Sequence, residues 1–322
     1  MRAIQITTVG GPEVLKVSEI ATPAPGAGQI LIRQHASGVN FIDVYYREGK
    51  YKAPLPFILG GEGSGVIEKL GEGVTGFSVG DAVAWYRALG SYAEYAVVDA
   101  DIAVKVPAGI SFEIACGVMM QGITAHYLSR SLFELKAGQT ALVHAAAGGV
   151  GSLLTQIASN LGVRVLATVS TEEKARIARE AGASEVILYD DTDFEVEVKR
   201  LTSGKGVDVV YDGVGKTTFE QSLRCLRKRG LLALYGAASG PVPPFDLQRL
   251  ASMGSLFVTR PISVDYIQTR AELTGRTDAL FDWLLQGKLK VHIDKVYPLE
   301  GVAQAHIDLE SRKTIGKLVL SM

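Results

Sequence analysis

The feature that most constrains the fold of this 322-residue chain is a change of rhythm near Thr140. From there to Pro261, short apolar runs alternate for the most part with segments of helical periodicity, as along Leu153, Ile157 and Leu161. The strand candidates are Thr140 to His144, Val163 to Val169, Glu185 to Leu188, Val207 to Tyr211, Leu231 to Tyr235 and Leu256 to Thr259. Strands apolar along their whole length need cover on both faces, and the intervening helices supply it, so this stretch predicts a doubly wound parallel sheet. Before Pro107 the pattern is different. Short or alternating runs punctuated by glycine (Ile30 to Arg33, Gly65 to Leu70, Asp81 to Trp85, Tyr92 to Val98) predict a compact, partly closed β domain.

A helical region from Ser111 to Ala137 bridges the two parts, and the cleft between them is the default ligand site. After Pro261 the pattern predicts a helix from Tyr266 to Leu285, a strand from Val291 to Val296, a helix from Gly301 to Ser311 and a last strand from Lys317 to Leu320. If this tail returns to the first domain, the α/β unit is an insertion. The length itself suggests about two domains.

Composition excludes several classes. With 33 Lys+Arg against 34 Asp+Glu there is no basic field to draw in a nucleic-acid backbone or an acidic membrane. Two cysteines, Cys116 and Cys225, make neither a disulfide framework nor a ligand-spaced cluster, and the histidines (35, 126, 144, 292 and 306) lack metal-ligand spacing. No 18 apolar residues run together and the first residues lack a signal-peptide core, so a soluble cytoplasmic protein is expected.

Directly after the strand at Thr140 to His144 comes Ala145-Ala-Ala-Gly148-Gly149-Val150-Gly151, then an apolar-periodic helix. In a dinucleotide fingerprint, small residues make this turn tight and let the backbone approach a pyrophosphate, which the helix N-terminus then binds. Ala146 stands where the first glycine of that fingerprint is usual, so the context of strand, turn and helix carries the reading. The second strand ends Val169-Ser170-Thr171, without the acid that would meet a ribose 2′-hydroxyl. That leaves space for a 2′-phosphate, with Lys174 following, and favours NADPH over NADH. A bland alternative remains open: Ser170 with Glu173 also reads as a capping box, leaving Lys174 solvated or paired with Glu172.

The ordered motifs Ser37-Gly-Val-Asn40-Phe-Ile-Asp43-Val-Tyr45, Gly60-Gly-Glu62-Gly-Ser-Gly65, Gly80-Asp81 and His144 to Gly151 resemble the quinone oxidoreductase branch of the medium-chain dehydrogenase/reductase superfamily. So do the segments Val258-Thr-Arg260-Pro261 and Glu310-Ser-Arg312, and the likeness spans essentially the whole chain. It implies a Rossmann domain, residues 124–263, inserted in a GroES-like β-rich catalytic domain formed by residues 1–123 and 264–322. A homodimer is also implied. The zinc alcohol dehydrogenases of that superfamily hold a cysteine near position 40 and a histidine near 61. Asn40 and Gly61 stand here, so no metal is expected.

The resemblance assigns Asn40 and Tyr45 to the nicotinamide side of the cofactor, as the candidate catalytic pair, and Tyr127 to its neighbourhood. Gly148, Gly149 and Val150 meet the pyrophosphate. Ser170, Lys174 and Tyr189 surround the 2′-phosphate, Gly236 and Ala237 lie by the ribose and nicotinamide, and Arg312 is a further cofactor contact. Read alone, these are a turn asparagine, ordinary aromatics, packing glycines and a helix-closing cation. The expected activity is reduction of a quinone by NADPH. Reduction of an enal or enone double bond, or a structural or RNA-binding role, are the alternatives.

Overall fold

The computed structural model describes residues 1–311 and 313–322. It divides into two units. The first comprises Met1–Gln121, Ile267–Gly287 and Val291–Met322, and the second comprises Gly122–Tyr266 and Lys288–Lys290.

In the first unit, β1 (Arg2–Ile6) pairs antiparallel with both β2 (Val17–Glu19) and a later strand, β4 (Phe57–Ile58). The long β3 (Gln29–Val39) leads into helix α1 (Phe41–Arg47). It pairs on one side with β5 (Glu62–Leu70), which continues the sheet to β6 (Ala82–Tyr86) and β8 (Ala103–Lys105). Its other side serves two partners: β7 (Tyr95–Asp99) along Gln29 to Arg33, and the last strand of the chain along Ala36 to Val39. Ile30, Ile32, Ile67, Val83 and Trp85 are fully buried in one core, and Ile4, Ile6, Leu59, Val302 and Leu320 in another. Each such aliphatic side chain contributes about 1.5–3 kcal/mol by leaving water. Helix α2 (Phe112–Tyr127) then leads across the unit boundary.

The second unit is the parallel sheet. Its strands in chain order are β9 (Thr140–His144), β10 (Arg164–Val169), β11 (Glu185–Leu188), β12 (Val207–Asp212), β13 (Leu226–Leu234) and β14 (Phe257–Thr259). They lie side by side as β11-β10-β9-β12-β13-β14, all parallel. The helices between them are α3 (Gly149–Asn160), α4 (Glu172–Glu180), α5 (Phe194–Leu201), α6 (Phe219–Cys225) and α7 (Gln248–Ser252). β9 and β10 are buried almost throughout, as a sheet covered on both faces requires. Strand β13 starts before the expected Leu231, because Leu226 already pairs with Val207 ahead of a register shift. The register aligns His144 with Thr168, Val169 with Leu188, and Asp212 with Leu234, so these strand ends share one carboxyl edge.

After Pro261, helix α8 (Arg270–Leu285) starts four residues later than Tyr266, since Thr269 caps it. The Thr269 hydroxyl accepts from Glu272 N–H at 3.2 Å and Glu272 reaches back to Thr269 N–H at 3.1 Å, a reciprocal cap that fixes the start. Strand β15 (Ile293–Pro298), helix α9 (Val302–Glu310) and strand β16 (Lys317–Ser321) follow, and β16 is the strand that joins β3.

Candidate functional site

The turn after β9 is as tight as its small residues suggest. Ala145 adopts a left-handed φ of 50°, and a Cβ on Gly151 would lie 2.3 Å from the Ala145 carbonyl oxygen, so only glycine lets α3 start this close to the turn. Gly148 is the N-cap of α3, no side chain caps it, and no Asp or Glu lies in the first turn. The half-buried Gly149 and Val150 begin the helix, whose N-terminal N–H groups and dipole favour an anion.

Beside it, Ser170 follows β10 and Tyr189 follows β11, held together by Tyr189 N–H to Val169 O at 3.2 Å. The Lys174 ammonium donates to Ser170 Oγ at 3.4 Å, so these two residues meet, and Tyr189 is 44% exposed on the adjacent strand end. The capping box that Ser170 and Glu173 offer as the alternative reading is not formed. Thr171 is the N-cap instead, accepting from Lys174 N–H at 3.3 Å, because its extended backbone turns the chain into α4 one residue later. Ser170 is thus outside the helix and its hydroxyl does not cap it.

Further along the edge, Asp212 organises two loops. Its Oδ1 accepts from the N–H groups of Val214 (2.8 Å) and Gly215 (3.0 Å), and its Oδ2 from the hydroxyls of Thr218 (2.7 Å) and Ser222 (3.2 Å). Gly236 N–H donates to Asp212 O, and a Cβ on Gly236 would sit 2.4 Å from Gly213 O. Gly236 and Ala237 are therefore part of a loop laced to the one after β12, through Ala238 N–H to Gly213 O and Ser239 N–H to Val214 O. His144 bonds Thr168 Oγ1 at 2.8 Å and Ser222 Oγ at 2.9 Å. Ser222 gives its proton to Asp212, so it accepts from His144 Nε2–H, and the imidazole is neutral, its pKa lowered by burial. A serine whose proton points away from the histidine is not a nucleophile, and this network supports the strand ends. Tyr127 is buried and stacks on Tyr266 at 4.2 Å. Arg312 lies outside the described residues.

In the first unit, Asn40 is the N-cap of α1 and Tyr45 is half-buried on the same helix, edge-on to Tyr51 at 5.5 Å. The Asn40 amide is fixed on both sides. Its Nδ2 donates to Glu62 Oε1 at 2.7 Å, and its Oδ1 accepts from the Lys317 ammonium at 2.7 Å. Lys317 also pairs with Glu62, and both side chains are wholly buried. Gly38 makes room for them: a Cβ there would lie 2.1 Å from Glu62 Oε1 and 2.7 Å from Lys317 Nζ. The other Glu62 oxygen accepts from Met120 N–H at 2.7 Å.

A second buried chain adjoins the first. Asp43 Oδ2 accepts from Asn40 N–H (2.8 Å) and Tyr92 Oη–H (3.1 Å). Tyr92 Oη meets His306 Nε2 at 3.2 Å, and His306 Nδ1 meets Arg47 Nη1 at 3.1 Å. Burial and then the Arg47 charge push His306 down to about 3, so the ring is neutral. Burial raises Tyr92, and it raises Cys116 as well, with Glu62 adding to the latter. The sequence assigns no site role to Asp43, Glu62, His306 or Lys317, although Asp43 and Glu62 stand within its motifs and His306 among its histidines. Asp43, three residues after Asn40, has the spacing of a capping pair and was legible in principle, whereas nothing near Lys317 announces its partners. Among the described residues no three His, Cys, Asp or Glu side chains gather as a metal site.

Comparison with known proteins agrees with this layout. The model of the alcohol dehydrogenase GroES-like domain matches residues 26–108, and that of the zinc-binding dehydrogenases matches residues 149–279. The chain is 46% identical over 321 residues to a quinone oxidoreductase of Pseudomonas aeruginosa, covering 99% of each. It is 41% identical over 320 residues to a 2-haloacrylate reductase of a Burkholderia species, covering 97% of this chain and 96% of that one. The structure of Escherichia coli quinone oxidoreductase complexed with NADPH superposes with a TM-score of 0.98 at 42% identity, covering 100% of both chains. The chain belongs to the quinone oxidoreductase family of the medium-chain dehydrogenases/reductases.

Proposed function

We propose that this protein reduces quinones with NADPH, without a metal. The observation that carries the reading is the sheet edge of the second unit, where the uncapped N-terminus of α3 and the Ser170–Lys174 pair offer separate places for two anionic groups. When bound, NADPH supplies a hydride. The backbone of Gly148, Gly149 and Val150 holds its pyrophosphate, and Ser170, Lys174 and Tyr189 hold its 2′-phosphate. Gly236 and Ala237, on the loop pinned by Asp212, lie against the ribose and nicotinamide, with Tyr127 and Arg312 as further cofactor contacts. Asn40 and Tyr45 orient the nicotinamide and the acceptor. Asn40 suits that task because Glu62 and Lys317 leave its amide a single orientation. The burial of both free cysteines suits a reducing cytoplasm. A homodimer is supported by the open edge of β14, where Phe257 is 60% exposed.

A second reading, reduction of an activated carbon–carbon double bond, is favoured by the likeness to a 2-haloacrylate reductase. Assays of NADPH and NADH oxidation across simple quinones, enones and haloacrylates test both. Rapid turnover of quinones, with NADPH preferred and activity unaffected by a chelator, is the expected result. Turnover of the alkenes alone supports the second reading. Tight NADPH binding with no turnover of either supports a non-catalytic role.

A further inference from the structure

Asp43 has two oxygens in contrasting surroundings. Oδ2 receives the Asn40 N–H and the Tyr92 hydroxyl. The direction of the second bond follows from the groups behind it. Arg47 has only donors, so His306 Nδ1 accepts from it, the neutral ring carries its proton on Nε2, and that proton goes to the Tyr92 oxygen. The Tyr92 proton is then left for Asp43. With Oδ2 filled by two donors, a proton on this carboxyl resides on Oδ1. That oxygen is fully buried and has no hydrogen-bond partner, an arrangement costly for an ionised carboxylate.

Oδ1 faces Gly61. This glycine has no left-handed backbone to explain it, and a Cβ built on it would meet only Asp43 Oδ1, at 3.9 Å. The missing side chain leaves a gap against the one oxygen that can carry the proton.

We propose that Asp43 stores the proton consumed in quinone reduction and releases it from Oδ1 through the gap beside Gly61. The proposal rests on the quinone-reductase reading. Hydride addition to a quinone leaves a hydroquinone monoanion. The Oδ1–H bond then breaks as an O–H bond forms on the product, Asp43 is left as a carboxylate, and a solvent proton restores it. No further oxidant or reductant is needed.

Burial, with Glu62 adding to it, raises Asp43 to about 7, against the lowering effects of Asn40 N–H, Lys317 and Tyr92. Glu62 on β5, Lys317 on β16 and Tyr92 ahead of β7 face it, with His306 on α9 and Arg47 on α1 behind Tyr92. The acid form therefore prevails below about 7, and turnover falls as pH rises through that value.

Asp43→Asn keeps an oxygen to accept the two donors but cannot release a proton. It should lower kcat on the order of a hundredfold and abolish the fall in rate near 7, while NADPH affinity stays within a few-fold. Infrared difference spectra taken on either side of about 7 should show a buried carboxylic-acid band in the wild type that Asp43→Asn lacks. Gly61→Ala should keep that band and lower kcat by filling the gap. Retention of the wild-type pH profile in Asp43→Asn, or no titrating band in the wild type, overturns the proposal. A wild type that shows the band but reduces no quinone overturns the functional reading instead, which separates the two failures.

Discussion

Both units bury polar side chains, but they join them across very different lengths of chain. At the sheet edge of the second unit, His144, Thr168, Asp212 and Ser222 come from strand ends and an adjoining helix, and the widest bond, His144 to Ser222, spans 78 residues. It is built from hydroxyls, an imidazole and backbone N–H groups around one carboxylate. In the first unit Lys317 reaches Asn40 across 277 residues and Glu62 across 255, and Arg47 reaches His306 across 259. There the network carries full charges of both signs on buried side chains, where a partner lost leaves the other charge unsatisfied. The edge of the parallel sheet is thus organised by local topology. The Asn40 region exists only once both ends of the chain have come together.

The largest effect should come from breaking that long-range pair. Lys317→Met leaves the Glu62 carboxylate buried with only the Asn40 and Met120 donors, and should cost about 3–5 kcal/mol of stability in denaturant titrations. Adding Glu62→Gln should recover much of it, since removing both charges is far less costly than removing one. Ser222→Ala, the matching lesion in the second unit, should cost only about 1–3 kcal/mol. Equal losses in the two units would erase the distinction drawn between them.

The same distinction explains what the sequence could and could not reveal. The parallel sheet was legible because each strand is an apolar run and each turn carries its own small residues, as in His144 to Gly151. Ser170 and Lys174 draw notice because no acid ends the second strand, whereas Tyr189 enters only through the family resemblance; the register of β10 with β11 brings the strand ends that precede Ser170 and Tyr189 to one edge. The charged cluster was not legible. Lys317 opens a strand whose residues are otherwise apolar, and only the pairing of β16 with β3 brings it to Asn40 and Glu62. Gly38 carries no turn signal either, since its purpose is the space that the Glu62 and Lys317 side chains require. Cap choice also escaped the sequence: Ser170 and Thr171 are both good N-caps, and backbone geometry selects Thr171.

A smaller but sharper effect concerns the cofactor. If Lys174 reads the 2′-phosphate, losing a charge-assisted hydrogen bond of roughly 1.5–3 kcal/mol should weaken NADPH by about ten- to a hundredfold in Lys174→Ala. NADH affinity, measured by the same fluorescence titration, should barely change. Equal losses for both would mean that Lys174 supports α4 and not the phosphate, and the second unit's edge would become a structural network like the first unit's.

The smallest effect separates two adjacent hydroxyls. Thr171 caps α4 through Lys174 N–H, so Thr171→Ala should lower stability by about 1 kcal/mol and leave the NADPH to NADH preference intact. Ser170 contributes nothing to the cap, and its hydroxyl meets the Lys174 ammonium instead. Ser170→Ala should therefore leave the unfolding midpoint in place and, on the proposed cofactor site, weaken NADPH a few-fold, because it removes a neutral hydroxyl beside the 2′-phosphate while Lys174 keeps the charge. The two variants act one residue apart, through the same lysine, on different observables. If Ser170→Ala were the destabilising change and Thr171→Ala the one that altered cofactor preference, the cap would begin one residue earlier. The proposed phosphate site would then have to be redrawn around Thr171.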